Sequence, residues 1–315
     1  MAFHKGFLTF VAKYYANLFY VNSVSLQTIF QSYSLRSASY IVIIILAWCS
    51  MPIGSLSAQE KEFGFLAGGA NYYGDINPNY SFKETRPFAS LFYRYNFNPR
   101  MSLRAGLNYG WIEASDSKRK NYPYLQARNL NFSSQILEVA CTYELNFFKF
   151  NPYVKKDRFS PYIYFGASLF HFQPTTVYNG RKYRLEEIGT EGQKGYDEEQ
   201  VNGYSTFSFA IPFGGGIKWA INKKLSLNVE FSSRRTFTDY IDDISTVYPD
   251  EDLLFYSEGN ENIAQILSDR SPEAGFDPIA VEGKQRGTSK DKDRFNFFGI
   301  GLTYTIYNPK CPRPY

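Results

Sequence analysis

The stretch Met101-Ser-Leu-Arg-Ala-Gly-Leu-Asn-Tyr-Gly-Trp111 decides the fold. Met101, Leu103, Ala105, Leu107, Tyr109 and Trp111 alternate with Ser102, Arg104, Gly106, Asn108 and Gly110. Successive side chains of a strand point to opposite faces, so a period of two writes one apolar, aromatic face and one small, polar or charged face. Just upstream, Ala89, Leu91, Tyr93, Tyr95 and Phe97 alternate with Ser90, Phe92, Arg94 and Asn96. The pattern returns in 137–147, 207–219, 225–232 and 298–306, and more weakly in Glu62–Asp75 and Pro161–Phe172, for an expected total of eight strands. Asp239–Asp293 has room for one more hairpin, which would make ten. Helical periodicity is confined to a short candidate at Glu261–Ser268.

The charges choose the architecture. Arg94, Arg104, Glu138, Glu144, Lys218 and Glu230 sit in the middle of otherwise greasy strands, on the polar face. A soluble sandwich or lipocalin-like barrel would turn the aromatic face inward and these ions outward. A membrane barrel does the reverse, with an apolar outer band, aromatic girdles and a polar interior. Only helices and closed sheets satisfy every backbone group in lipid. The reading is therefore all-β: an antiparallel, up-and-down transmembrane β-barrel. Short connections (Asn96–Arg100, Asn222–Lys224), with an intermediate one at Asn146–Ser160, alternate with long ones at Asp75–Arg86, Glu113–Arg128, Gln173–Gly203 and Asp239–Asp293. That alternation is expected of short periplasmic turns and longer outside loops, with both termini periplasmic.

Composition agrees and excludes the alternatives. The chain has 315 residues, 44% hydrophobic, 20% charged and 19% aromatic, with Phe 29, Tyr 27 and Trp 3. A disordered chain lacks such aromatic density. A helical span needs about 18 apolar residues in a row, and the longest run, Tyr40–Trp48, is far shorter. Net charge is +4, and Lys5, Lys13 and Arg36 in the N-terminal segment supply most of it. The remainder is nearly neutral, which gives no electrostatic case for a nucleic-acid partner. Arg36, the apolar run and Ser55-Leu-Ser-Ala58 form a secretory-signal pattern with cleavage expected after Ala58. Residues 1–58 are thus read as a leader, with an over-called start or a long n-region within 1–35. Residues 59–307 are read as an outer-membrane barrel in contact with outer-membrane lipids, and 308–315 as a periplasmic tail.

In this scheme Arg94, Arg104, Lys218 and Arg234 share the lumen with Glu138, Glu144 and Glu230, four positive charges against three negative. The tight turns set Arg94 opposite Arg104. Two facing cations need counter-charges, and Glu144 and Glu230 are expected to reach them as a periplasm-side plug. Tyr93, Tyr95, Tyr109, Trp111, Phe147, Trp219 and Tyr304 are expected as a lipid-facing aromatic girdle. Cys49, Cys141 and Cys311 form no spaced framework, and no cofactor or metal set is indicated. His171 ends a strand near an outside loop without a Ser or Asp partner at fixed spacing, so a solvated or packed role is expected rather than a catalytic one. Gly214-Gly-Gly216 lacks the Lys-Ser/Thr of a phosphate loop and reads as a place of close strand approach. Asp239-Tyr-Ile-Asp-Asp243 and Asp250-Glu-Asp252 lack calcium-loop spacing and read as solvated loop.

An ordered set of segments resembles the PorG family, an outer-membrane component of the type IX secretion system of Bacteroidetes. These are Glu62-Phe-Gly-Phe with Asn71-Tyr-Tyr-Gly-Asp-Ile-Asn-Pro78, Arg86-Pro-Phe-Ala with Phe92–Arg100, and Gly189-Thr190-Glu191-Gly192. Ile211–Lys218, Arg235-Thr-Phe-Thr-Asp239-Tyr240-Ile-Asp242-Asp243-Ile-Ser245, Leu267-Ser268-Asp269-Arg270-Ser271 and Gly287–Asp293 follow, and Asp75 lies within the second segment. The resemblance implies a non-enzymatic barrel that ties a periplasmic ring of the lipoprotein PorK and its partner PorN to the outer membrane. The expectations that stand beside it are an OmpA-like structural barrel or adhesin acting through extracellular loops, and a barrel lipid-modifying enzyme centred on His171.

Overall fold

The computed structural model describes residues 60–79, 82–193, 203–258 and 261–306. The leader, its cleavage site and the 308–315 tail lie outside the described residues. The strands are β1 (Glu60–Tyr73), β2 (Arg86–Asn98), β3 (Met101–Ser115), β4 (Asn131–Asn146), β5 (Phe159–Tyr178), β6 (Arg181–Arg184), β7 (Phe207–Ala220), β8 (Leu225–Thr236), β9 (Ser257–Glu258), β10 (Glu261–Asn262) and β11 (Arg294–Ile306). Short helices α1 (Pro123–Arg128), α2 (Leu185–Ile188) and α3 (Ile263–Ser268) lie in the long connections.

β1, β2, β3, β4, β5, β7, β8 and β11 form an antiparallel meander that closes on itself through β1 and β11. This is the eight-stranded up-and-down barrel. The Asp239–Asp293 connection does contain a hairpin, β9 with β10, but with two residues per strand it is too short to cross and does not enlarge the barrel. The turns β2–β3, β4–β5 and β7–β8 share one rim with both ends of the barrel chain, and the long connections share the other.

Polarity is inverted relative to a soluble protein. Leu107, Val229 and Leu302 are 48%, 41% and 46% exposed, whereas Arg104 and Glu230 are 6% and 8% exposed. Eight strands enclose a space just wide enough for side chains to fill, and here it is filled in two layers. Toward the short-turn rim it is ionic. Toward the long-loop rim it is mainly aromatic, packed around the ion pair of Glu138 and Arg234, which corrects the expectation of a polar lumen throughout: Phe88, Phe92, Phe170, Phe172, Phe295 and Phe297 turn inward with Leu66, Ile112 and Ile136. Phe88 stacks on Phe297 at 4.0 Å between ring centroids. Ile241, Ile244, Leu254, Ile263 and Leu267 from the longest connection join the same core, so the loops roof the barrel rather than hang from it.

The 173–203 segment is not all loop. β5 runs on to Tyr178, turns through Asn179-Gly180 at φ of 47° and 77°, and returns as β6. Asn-Gly at positive φ is the two-residue hairpin that matches strand twist. Close approach explains the glycines of β7: a Cβ at Gly216 would lie 2.3 Å from the Val229 carbonyl oxygen and 3.0 Å from the Tyr162 ring.

Candidate functional site

Two buried polar systems occupy the interior. The first is the ionic layer. Register pairs Arg94 of β2 with Arg104 of β3. Glu144 of β4 stands between three cations: its Oε2 is 2.7 Å from Arg94 Nε and 2.7 Å from Lys218 Nζ, and its Oε1 is 3.6 Å from Arg104 Nη1. Glu230 reaches Arg104 across the lumen at 2.5 Å and accepts from the Tyr162 and Tyr164 hydroxyls, each at 2.7 Å. The Phe92 ring lies beneath both guanidinium groups, at 4.9 Å from Arg94 and 4.0 Å from Arg104.

Glu62 of β1 completes the set. It pairs with Arg94 at 2.6 Å and accepts from Asn96 at 2.9 Å. The expected count of four against three is thereby corrected to four against four. Glu138 pairs separately with Arg234 at 3.2 Å and accepts from Asn108 at 2.7 Å. Each node is neutral, which a water-poor interior requires because an uncompensated buried ion is strongly destabilising.

The aromatic residues assigned to the girdle lie on the outer face at both ends. Tyr93, Tyr95, Phe147, Trp219 and Tyr304 lie toward the short-turn rim, and Tyr109 and Trp111, packed edge to face at 4.7 Å, lie toward the other. His171 does not end its strand. It sits inside β5 on the outer face, between Leu137 and Phe207 in the ladder, with the Phe207 ring 4.7 Å away.

The second system is the roof, and the loop segments singled out in the sequence converge there. Asp239, Asp242 and Asp243 are buried rather than solvated. Asp239 accepts from the nearby Ser245 hydroxyl at 2.8 Å, whereas Asp242 and Asp243 are held by partners from distant segments. The Tyr72 hydroxyl lies 2.6 Å from Asp242 Oδ2 and 2.5 Å from Asp293 Oδ1. The remaining carboxylate oxygens accept backbone N–H groups, Ile244 on Asp242 at 3.0 Å and Ile241 on Asp293 at 2.9 Å. A phenol carries one proton, so two such short contacts require a proton on one of the carboxyls. Burial, reinforced at Asp242 by the facing Asp293 carboxylate, pushes both groups well above the usual carboxylate range. Burial also raises Asp243 to about 7 against the opposing pull of Arg286.

Gly189-Thr190-Glu191-Gly192 follows α2. Gly189 caps that helix at a φ of 72°, and Gly192 turns at 73°. Thr190 donates to Asp243, which also accepts from the Tyr204 hydroxyl at 2.7 Å, and Tyr204 stacks on Tyr240 at 4.5 Å. Glu191 accepts from Ser245 N at 2.9 Å and Thr246 Oγ1 at 2.7 Å and pairs with Arg286 at 2.9 Å. Asp75 accepts from Thr288 N at 2.8 Å. Arg128 of α1 links Asp116 to the Arg286 carbonyl at 2.8 Å. Ser268 is buried and its carbonyl accepts from Arg286 at 3.4 Å. Asp269 accepts from Ile279 N and Ala280 N at 2.8 and 2.7 Å, and Arg270 binds Thr176 of β5 at 2.7 Å. By contrast, Glu251 and Asp252 of the second acidic segment are exposed. Among the described residues, no three carboxylate, imidazole or thiolate side chains converge as a metal-binding set.

A closed sheet, greasy outside and ionic within, defines the class: a small membrane-spanning β-barrel of the outer-membrane type. The chain belongs to the family described as Domain of unknown function (DUF6089), which it matches over residues 38–264. No curated protein matches the sequence. Among solved structures it is similar to Ail, the attachment invasion locus protein of Yersinia pestis, solved with the heparin analogue sucrose octasulfate, at 9% identity and a TM-score of 0.37, over 79% of this chain and 99% of that one. It is similar too to the N-terminal barrel domain of Pseudomonas aeruginosa OprF at 10% identity and a TM-score of 0.31, over 79% and 97%. The outer membrane enzyme PagL is another match, at 12% identity and a TM-score of 0.29, over 78% and 99%.

Proposed function

We propose that this chain is a PorG-like, non-enzymatic outer-membrane component of the type IX protein secretion system, exported through its N-terminal leader, and that it anchors the periplasmic PorK/PorN ring to the outer membrane. The observation that carries the reading is the filled interior. An ionic layer, an aromatic layer and a hydrogen-bonded roof lie in series along the axis, so the barrel is suited to holding rather than conducting. The sequence resemblance supplies the partner. His171, packed among apolar neighbours on the outer face, lends no support to a lipid-modifying enzyme.

The test is recovery of the ring proteins with the tagged barrel after mild cross-linking of whole cells, together with their fractionation in a deletion strain. Loss of the ring from the outer-membrane fraction is expected. Normal assembly and localisation of the ring without the barrel refutes the reading. The second reading, an OmpA-like structural or adhesive barrel, is favoured by the exposed Tyr124, Val247, Phe276 and Val281 on the outer connections. It predicts lost surface attachment with an intact ring.

A further inference from the structure

Arginines at the long-loop end are almost all matched with carboxylates. Arg86 pairs with Glu113, Arg119 with Glu84, Arg128 with Asp116, Arg181 with Glu258, Arg270 with Glu273 and Arg286 with Glu191. Arg235 and Arg294 are the exception among the described residues. They stand directly opposite each other in the β8–β11 ladder. Arg235 is exposed, and the contact of Arg294 among the described residues is the Tyr73 ring, 5.8 Å from the guanidinium carbon. Like charges directly opposite in a sheet are destabilising. The neighbouring Asp293 offers no relief, because its carboxyl is turned to Tyr72 and to the Ile241 N–H.

The surroundings are amphipathic. Ile211 flanks Arg235 on β7, and Phe213, Phe231 and Phe237 are exposed nearby on the same outer face. Two residues along β11 toward the membrane, Asn296 is 2% exposed, and its amide oxygen has no hydrogen-bond partner among the described residues. The height is that of a membrane surface. From Ile306 to Arg294 the strand rises about 40 Å at about 3.4 Å per residue. At a tilt of about 40° that is about 30 Å along the axis, against an apolar band of about 25 Å.

We infer that Arg235 and Arg294 form a binding site for the phosphate of an outer-leaflet lipid. The acyl chains lie along the Phe213–Phe231 surface, and a headgroup hydroxyl supplies the donor that Asn296 lacks. Guanidinium groups bind phosphate oxygens in pairs through parallel N–H donors, and two adjacent forks relieve their own repulsion by sharing one dianion or monoanion. This site rests on the membrane-barrel reading and is independent of the secretion role.

The experiment is native mass spectrometry of the detergent-solubilised full chain, titrated with phosphatidylglycerol and with chain-matched diacylglycerol. The phosphorylated lipid is expected to bind more tightly. The Arg235→Gln/Arg294→Gln double variant is expected to weaken it about tenfold or more while leaving diacylglycerol unchanged. Arg235→Lys/Arg294→Lys, which keeps charge but loses the fork, is expected to fall between. Soluble glycerol phosphate is expected not to compete. Equal binding of the two lipids by the wild-type chain overturns the site without recourse to any variant. So does a double variant that keeps the preference, with folding verified by heat-modifiable gel mobility. Full competition by glycerol phosphate would reassign the arginines to a soluble anion. Failure of both lipids to bind would remove the membrane-barrel reading itself.

Discussion

Replacing Glu144 by Gln removes one charge without changing shape, and the geometry dictates which partner suffers. Arg94 keeps Glu62 at 2.6 Å, and Arg104 keeps Glu230 at 2.5 Å. Lys218 keeps no carboxylate, because Glu144 is its one ion-pair partner among the described residues, and its side chain is 1% exposed. Stranding a buried charge costs about 3–5 kcal/mol. The Tyr162 ring, 4.4 Å from Nζ, offsets a fraction of this, about 1 kcal/mol. A net loss of about 2–4 kcal/mol is expected for Glu144→Gln. Lys218→Met is expected to lose less, because Glu144 still faces Arg94 and Arg104. The double variant restores neutrality with two cations against two anions in the node. It should therefore recover most of the loss, with a coupling of about 2 kcal/mol. Equilibrium urea unfolding of the refolded barrel in lipid vesicles, followed by Trp fluorescence and gel mobility, measures all three. A Glu144→Gln loss under about 1 kcal/mol, or single-variant losses that simply add in the double, would refute the reasoning.

The roof gives further expectations. Asp243, raised to about 7, and the Asp242–Asp293 pair, also raised, bind protons more tightly in the folded chain than in the unfolded one. Their contribution is full below the unfolded carboxylate range, near pH 4, and falls as pH rises through the folded values. Hydrogen exchange of Ile241 and Ile244 should therefore accelerate between about pH 5 and 8, and rates independent of pH after correction for intrinsic exchange would contradict this. Asp293→Asn imitates the protonated partner, so it should slow that exchange at pH 8 and flatten its pH profile. Tyr72→Phe leaves two carboxyls facing each other without the bridge, and limited proteolysis of the roof at pH 8 should speed up. Gly216→Ala pushes a Cβ against the Val229 carbonyl and the Tyr162 ring. A loss of about 1–3 kcal/mol is expected in the same urea assay, and an unchanged midpoint would show that the strands yield freely.

The barrel was legible because its decisive signal is local. Two-residue alternation in 101–111 and its counterparts needs no knowledge of the partner strand. Glu62 escaped because glycines at 64, 68 and 69 blur the alternation of β1, although Phe63 and Phe65 mark the outer face. The aromatic upper lumen escaped for another reason. Phe170 and Phe172 face inward while Leu169 and Phe165 face outward, so β5 is greasy on both sides and carries no periodic contrast. The Asn179-Gly180 turn was a readable hairpin signal inside what the sequence presents as loop. The roof lies beyond local reading altogether. Asp242 looks like any solvated acid until Tyr72, 170 residues earlier in the chain, is brought against it.

The ladder closes where the two ends of the barrel chain meet, and several counter-ions come from strands that are not neighbours: Arg104 of β3 meets Glu230 of β8, and Lys218 of β7 meets Glu144 of β4. Arg104 and Glu230 are separated by 126 positions, and Lys218 and Glu144 by 74. A sheet holding only β1 to β4 would carry Arg104 without Glu230 and Glu144 without Lys218. Circularisation and neutralisation are thus one event. Full pairing of the interior therefore waits on the complete ring, which disfavours intermediates with only a few strands embedded.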